Sequence, residues 1–183
     1  MGCVNSKKGV TDGTSANGRR VSRPNIKVGE GNKQQGVHEL KKNYHIDSNT
    51  KVLGVGAFGR VFRTKNKADS TFEVAIKVMD KVKLRDNIDC IMQEVTIMHQ
   101  LDHPNIVKYY ETYNDQKYIY LVMEFVNGKQ LFEKITEQEN QTFTETTAAR
   151  YMKSLFNAIN HCHSQDIIHR DIKPDNIMIT KSD

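Results

Sequence analysis

Large apolar side chains are sparse along residues 1–42 and follow no period, while Gly, Ser, Asn and Lys are frequent. Such a segment cannot bury enough surface to offset its ordering entropy, which predicts a disordered tail over residues 1–43. From Tyr44 the pattern changes. Residues 52–53, 60–64 and 72–79 read as short strands separated by Gly-rich and polar turns, and residues 106–113 and 118–125 as two more around Asn114-Asp115. Between these groups Ile88, Ile91, Val95 and Met98 recur at helical spacing and predict a helix over 86–101. After Gly128 the character turns helical, with a short apolar helix over 131–135 and a longer one opened by Thr144 and Glu145. In the longer helix Ala148, Met152, Leu155, Phe156 and Ile159 mark the stripe expected to be buried, and residues 177–179 read as a last short strand.

Charge divides the chain at the same place as hydropathy. Residues 1–45 hold nine Lys/Arg against three Asp/Glu, and the remainder holds eighteen against nineteen. A nucleic-acid-binding domain carries its positive charge on a folded face, so the distribution argues against a nucleic-acid partner. A basic arm beside an anionic membrane fits it. Three widely spaced cysteines (Cys3, Cys90, Cys162) suggest neither a disulfide framework nor a zinc site. No apolar run approaches the roughly 18 residues needed to span a bilayer.

Gly54-Val55-Gly56-Ala57-Phe58-Gly59 is a G-x-G-x-x-G. Alone it also fits a dinucleotide-binding turn, with Asp80 placed as the ribose acid, or a plain flexible turn. The dinucleotide motif must run straight into a helix, whereas Arg60-Val61-Phe62-Arg63 alternates like a strand. The loop is therefore expected to cap a hairpin, whose backbone can close over phosphates. In Val74-Ala75-Ile76-Lys77 a lysine sits near the end of an apolar strand. Glu94, three residues after Ile91, lies on the inward side of its helix, where an unpaired carboxylate is costly. Lys77 is its expected partner, although a strand-edge lysine in water fits the same residues.

His169-Arg170-Asp171-Ile172-Lys173-Pro174-Asp175-Asn176 spaces an acid, a lysine and an asparagine as phosphoryl transfer requires. With the glycine loop, the strand lysine and the helix glutamate in the same order and spacing, the chain from Tyr44 onward resembles the eukaryotic protein kinases. Lys173, two residues after Asp171, is the serine/threonine version. Leu101-Asp102-His103-Pro104-Asn105-Ile106-Val107 and Tyr120-Leu121-Val122-Met123-Glu124 resemble the calcium-dependent and calmodulin-dependent group. The start Met1-Gly2-Cys3 resembles the calcium-dependent protein kinases in particular, which carry EF-hands; the EF-hand loop D-x-[DN]-x-[DN]-G does not occur in this chain.

The resemblance implies an α+β, protein-kinase-like fold. A five-stranded antiparallel sheet with one helix would occupy residues 44–126, and the first helices and catalytic loop of a helical lobe residues 127–183. It also implies an ATP site. Leu53, the Gly54–Gly59 loop with Phe58 at its tip, Val61 and Ala75 would enclose the nucleotide. Lys77, fixed by Glu94, would hold the α- and β-phosphates. Met123 would be the gatekeeper, with Glu124 to Val126 as the adenine-binding hinge. Asp171 would orient the hydroxyl of a protein substrate, Lys173 would neutralise the γ-phosphate, and Asn176 would hold one Mg²⁺. His169 and Arg170 would hold the loop.

Two departures from the family pattern carry expectations of their own. Gln130 stands where the group usually has a Glu, which implies a weaker preference for arginine upstream of the phosphorylated residue. No D-F-G follows the catalytic loop in this chain. An incomplete helical lobe is expected here, and with it a second reading: a catalytically inactive fragment acting as a nucleotide-binding or interaction module. At the other end, Met1-Gly2-Cys3-Val4-Asn5-Ser6 fits the myristoylation pattern. Acylation of Gly2 and Cys3, with Lys7 and Lys8, would place the protein at the cytoplasmic face of a membrane.

Overall fold

A computed structural model describes residues 36–181, the side chain of Asp86 excepted. The chain divides into two compact units, one comprising residues 36–88 and 109–123, the other residues 89–108 and 124–181.

The first unit is built on a five-stranded antiparallel sheet in the order β1-β2-β3-β5-β4. Its strands are β1 (Val52–Gly56), β2 (Gly59–Lys65), β3 (Glu73–Asp80), β4 (Tyr109–Asn114) and β5 (Tyr118–Glu124). The expected sheet is present, with β4 starting three residues later than its apolar pattern suggests. Period-two alternation sends Val74, Ile76 and Val78 of β3, and Tyr118, Tyr120 and Val122 of β5, to one face. That face is closed by helix α1 (Gly36–Asn43), whose Leu40 is fully buried, together with Tyr44 just beyond it. Burying one leucine contributes about 1.5–3 kcal/mol. Polar bonds fix the docking. Asn43 Nδ2 donates to Tyr113 Oη (2.9 Å), and the Tyr44 and Tyr113 hydroxyls both donate to Glu111 Oε2 (3.2 and 2.5 Å). Burial and the Glu111 carboxylate push both phenols well above the ordinary tyrosine range.

Helix α1 falls where the sequence reading placed disordered tail. Its apolar face is Val37, Leu40 and Tyr44 alone, too short a stripe to stand out in a polar segment, and it is stabilised by tertiary packing rather than by propensity. The rest of that tail, with Gly2 and Cys3, lies outside the described residues.

The second unit carries most of helix α3 (Ile88–Met98), which follows the short α2 (Lys81–Leu84). A two-stranded ribbon pairs β6 (Gly128–Gln130) with β7 (Met178–Thr180). Two further helices are α4 (Leu131–Thr136) and α5 (Glu145–His163). Thr144 caps α5 by accepting from Thr147 N–H at 3.2 Å, as its sequence predicts. The expected buried stripe of α5 is met in part, with Ala148, Leu155 and Ile159 half-buried. Ala158 and Cys162 are the buried positions, whereas Met152 and Phe156 are 42% and 60% exposed. The small residues buried deepest weigh little in a hydropathy pattern, whereas Met152 and Phe156, which weigh heavily in it, face outward. Cys162 packs with Leu101 and Ile167, joined by Ile97, Met98 and Ile106, so the end of α3, the loop after it and the end of α5 share one core.

Candidate active site

In the sheet unit the glycine loop is a tight hairpin. Gly56 and Gly59 face each other across the two-residue turn Ala57-Phe58, and the Phe58 carbonyl accepts from Asp80 N–H at 3.0 Å. Asp80 itself caps α2, accepting from Val82 N–H at 2.9 Å. No dinucleotide-type helix follows the loop, since β2 begins at Gly59. Register then aligns three residues in one row across the sheet: Gly54 opposite Val61, and Val61 opposite Lys77. Lys77 thus emerges from the face opposite the α1-covered core, beside the hairpin. Around Gly54 and Gly56 a side chain would meet no atom within 4 Å, which leaves the backbone open to a ligand. At Gly59 a Cβ would overlap the Val78 carbonyl oxygen, so here glycine is required by strand packing. Val55 and Phe58 are exposed at the tip, Leu53 sits at the irregular pairing of β1, and Ala75 is buried below.

The helical unit holds the other candidates. Glu94 is half-buried on α3, between the buried Ile91 and Val95. Glu124 is fixed by its own backbone, its N–H donating to Lys108 O (2.8 Å) and its carboxylate accepting from Lys108 N–H (3.2 Å). Val126 is half-buried two residues on, and Met123, at the edge of the sheet unit, pairs with Tyr109.

The catalytic loop is the best-defined part of the site. Asn176 Nδ2 donates both to the Asp171 carbonyl and to its Oδ2, each at 2.8 Å. Lys173 Nζ lies 3.1 Å from Asp171 Oδ1, and His169 Nδ1 accepts from Asp171 N–H at 3.2 Å. The Lys173 ammonium, then the Asn176 amide, hold the Asp171 carboxyl below the ordinary carboxylate range. Arg170 has φ 64°, a left-handed conformation that is uncommon outside glycine and concentrates at functional turns. Asp171 remains half-exposed, so a substrate group can reach it.

Because Asn176 spends its amide nitrogen on Asp171, its Oδ1 is a hard oxygen available to a cation. Among the described residues no group of three or more His, Cys, Asp or Glu could hold a metal ion. Such a cation would draw its other ligands from phosphate oxygens and water, the usual arrangement for Mg²⁺.

Sequence reasoning missed the ribbon that anchors this loop. Gly128 pairs with Thr180, Lys129 with Ile179 and Gln130 with Met178, and Leu131 N–H donates to Ile177 O at 2.8 Å. The strand after the catalytic loop is thereby tied to the segment after the hinge. Gly128 is needed there, because a Cβ would overlap the Ile179 carbonyl oxygen. Gln130 begins α4 in a reciprocal capping box with Glu133, whose carboxylate accepts from Gln130 N–H at 3.0 Å. The spacing of Gln130 and Glu133 was the available signal for that cap. The β6 residues alone show no strand pattern.

Residues 48–183 match the family described as Protein kinase domain. The match takes in the glycine hairpin, Lys77, Glu94 and the catalytic loop, and leaves α1 outside. The chain is 42% identical over 144 residues to "Calcium-dependent protein kinase 5" of Plasmodium berghei (strain Anka), covering 79% of this chain and 25% of that protein. It is 37% identical over 132 residues to "Calcium/calmodulin-dependent protein kinase type 1" of Macrobrachium nipponense, covering 72% of this chain and 38% of that one. To "Serine/threonine-protein kinase DCLK3" of Mus musculus it is 36% identical over 145 residues, 79% of this chain and 18% of that protein. The chain spans well under half the length of these relatives. Its similarity to kinases so named does not favour the reading as an inactive binding module.

Proposed function

Since the chain belongs to the protein kinase family, within its calcium-dependent and calmodulin-dependent group, we propose that it transfers the γ-phosphate of ATP to Ser and Thr hydroxyls of proteins. The observation that carries this reading is the Asp171 carboxylate, half-exposed, kept ionised by Lys173 and oriented by Asn176. An acceptor hydroxyl donating to Asp171 is aligned for attack on the γ-phosphorus; the carboxylate takes up its proton as the new bond forms, the bond to the β–γ bridging oxygen breaks and ADP leaves. Lys173, half-exposed, turns to the transferred phosphoryl group and offsets its charge. In the sheet row, Lys77 holds the α- and β-phosphates beneath the open backbone of Gly54 and Gly56. The Glu124 carbonyl and the Val126 N–H meet the adenine edge. Asn176 Oδ1 would hold Mg²⁺, which when bound with ATP would offset phosphate charge. The full-length gene product, given Mg-ATP labelled at the γ-phosphate and a mixture of peptide acceptors, is expected to label Ser and Thr but not Tyr. Labelling of tyrosine, or of no acceptor, would overturn the reading.

The same proposal places the protein at the cytoplasmic face of a membrane through acylation of Gly2 and Cys3. The support is the terminal Met1-Gly2-Cys3 pattern and the basic residues that follow it. Gly2→Ala is expected to move the protein from the membrane to the soluble fraction of fractionated cells; an unchanged distribution would contradict the anchor.

A further inference from the structure

His103 stands in the loop after α3 and His161 in the last turn of α5, and their rings stack with centroids 5.0 Å apart and planes 30° from parallel. Each ring is held as an acceptor. Nδ1 of His103 accepts from Asn105 N–H at 3.1 Å, closing a turn whose second bond runs from Ile106 N–H to His103 O at 3.0 Å. Nε2 of His161 lies 2.9 Å from the side-chain amide nitrogen of Gln165, a group that can only donate. An added proton on His103 Nδ1 would face the Asn105 N–H, and one on His161 Nε2 would face the Gln165 amide nitrogen, donor against donor. Protonation of both would also set two like charges side by side.

The loop and the helix end that carry the two rings also share a core through Leu101, Cys162 and Ile167, with Ile97 and Met98 packed against it. On the loop, Asp102 is paired with Lys108 at 3.1 Å. His163 and Asp166 follow His161, and α3 contributes Glu94 and, just beyond its end, His99. Burial and, after it, the charge of His161 hold the His103 imidazole below its ordinary 6.5.

We propose that the His103–His161 stack is a proton-sensitive joint: neutral, it clamps the loop after α3 onto α5, and protonated, it opens the turn at 103–106 and loosens the end of the helix that carries Glu94. A histidine whose folded-state value lies below its unfolded one binds fewer protons when folded. Its stabilisation is thus complete above pH 6.5 and is lost as pH falls through the folded value.

The test is thermal unfolding of the full-length gene product between roughly pH 5 and pH 8, a window that brackets the ordinary histidine value. Wild type is compared with His161→Phe, which keeps a ring without its charge, and with His103→Asn, which keeps a side-chain acceptor for Asn105 N–H. Acidification is expected to lower the wild-type Tm by roughly 2–4 °C more than that of either variant. Equal slopes in all three would overturn the joint. Should a variant fail to fold, NMR titration of the wild-type imidazole Cε1–H signals decides. His103 is expected to titrate below 6.5, and titration at or above that value would overturn the proposal.

Discussion

The two units bury their side chains to different depths. The six largest fully buried side chains, Leu40, Val74, Ile76, Leu84, Ile119 and Val122, all belong to the sheet unit. In the helical unit the deepest positions, such as Leu101, Cys162 and Ile167, retain 4–8% exposure, and Phe156 and Ile168 stand more than half exposed. The sheet unit is closed on one face by α1, and its other face, where Met79, Ile119 and Leu121 are also buried, carries Lys77 beside the glycine hairpin. The helical unit instead holds its catalytic loop by short-range bonds, the Asn176 fork and the Lys173 pair, and ties the strand after it to β6. Rigidity in the first comes from packing, and in the second from hydrogen bonds within a few residues of Asp171.

That contrast can be broken most forcefully at Leu40. Leu40→Ala removes the side chain that seals the sheet, and is expected to destabilise the sheet unit by about 2–5 kcal/mol. Six of the seven tyrosines lie in this unit and the chain has no tryptophan, so tyrosine fluorescence during urea unfolding reads it selectively. A change below about 0.5 kcal/mol, the size of an ordinary surface substitution, would show that α1 contributes nothing to the sheet. The opposite pole is Phe156, where the same fall in side-chain size meets solvent rather than a core. Phe156→Ser is expected to stay within about 0.5 kcal/mol of wild type in unfolding followed by far-ultraviolet circular dichroism. A loss comparable to that of Leu40→Ala would mean that the two units are packed alike.

Much of the fold was legible because its signals are local. Strands β2, β3 and β5 alternate or run apolar, the Thr144 cap precedes α5, and the catalytic octapeptide is contiguous. Features that rest on distant pairing were harder to read. The alignment of Gly54, Val61 and Lys77 follows from strand register, which the sequence does not state until the pairing is known. Helix α1 depends on a sheet face that closes only when β3 and β5 come together. Strand β6 exists because β7 pairs with it, and its own Gly-Lys-Gln carries no β pattern. On α5 the small Ala158 and Cys162 mark the true inner face, while the larger Met152 and Phe156 drew the reading outward. The stacking of His103 on His161 belongs to the same class: two unremarkable histidines become a pair only in the folded unit.

The central claim is that Asp171, as its loop holds it, performs phosphoryl transfer rather than nucleotide binding. Asp171→Asn in the full-length gene product separates the two, since Lys77 and the glycine hairpin lie in the other unit. Transfer of labelled γ-phosphate to a Ser/Thr peptide is expected to fall by about 10²–10⁴-fold, while the dissociation constant of a fluorescent ATP analogue stays within about twofold. Undiminished transfer by the variant would contradict the account.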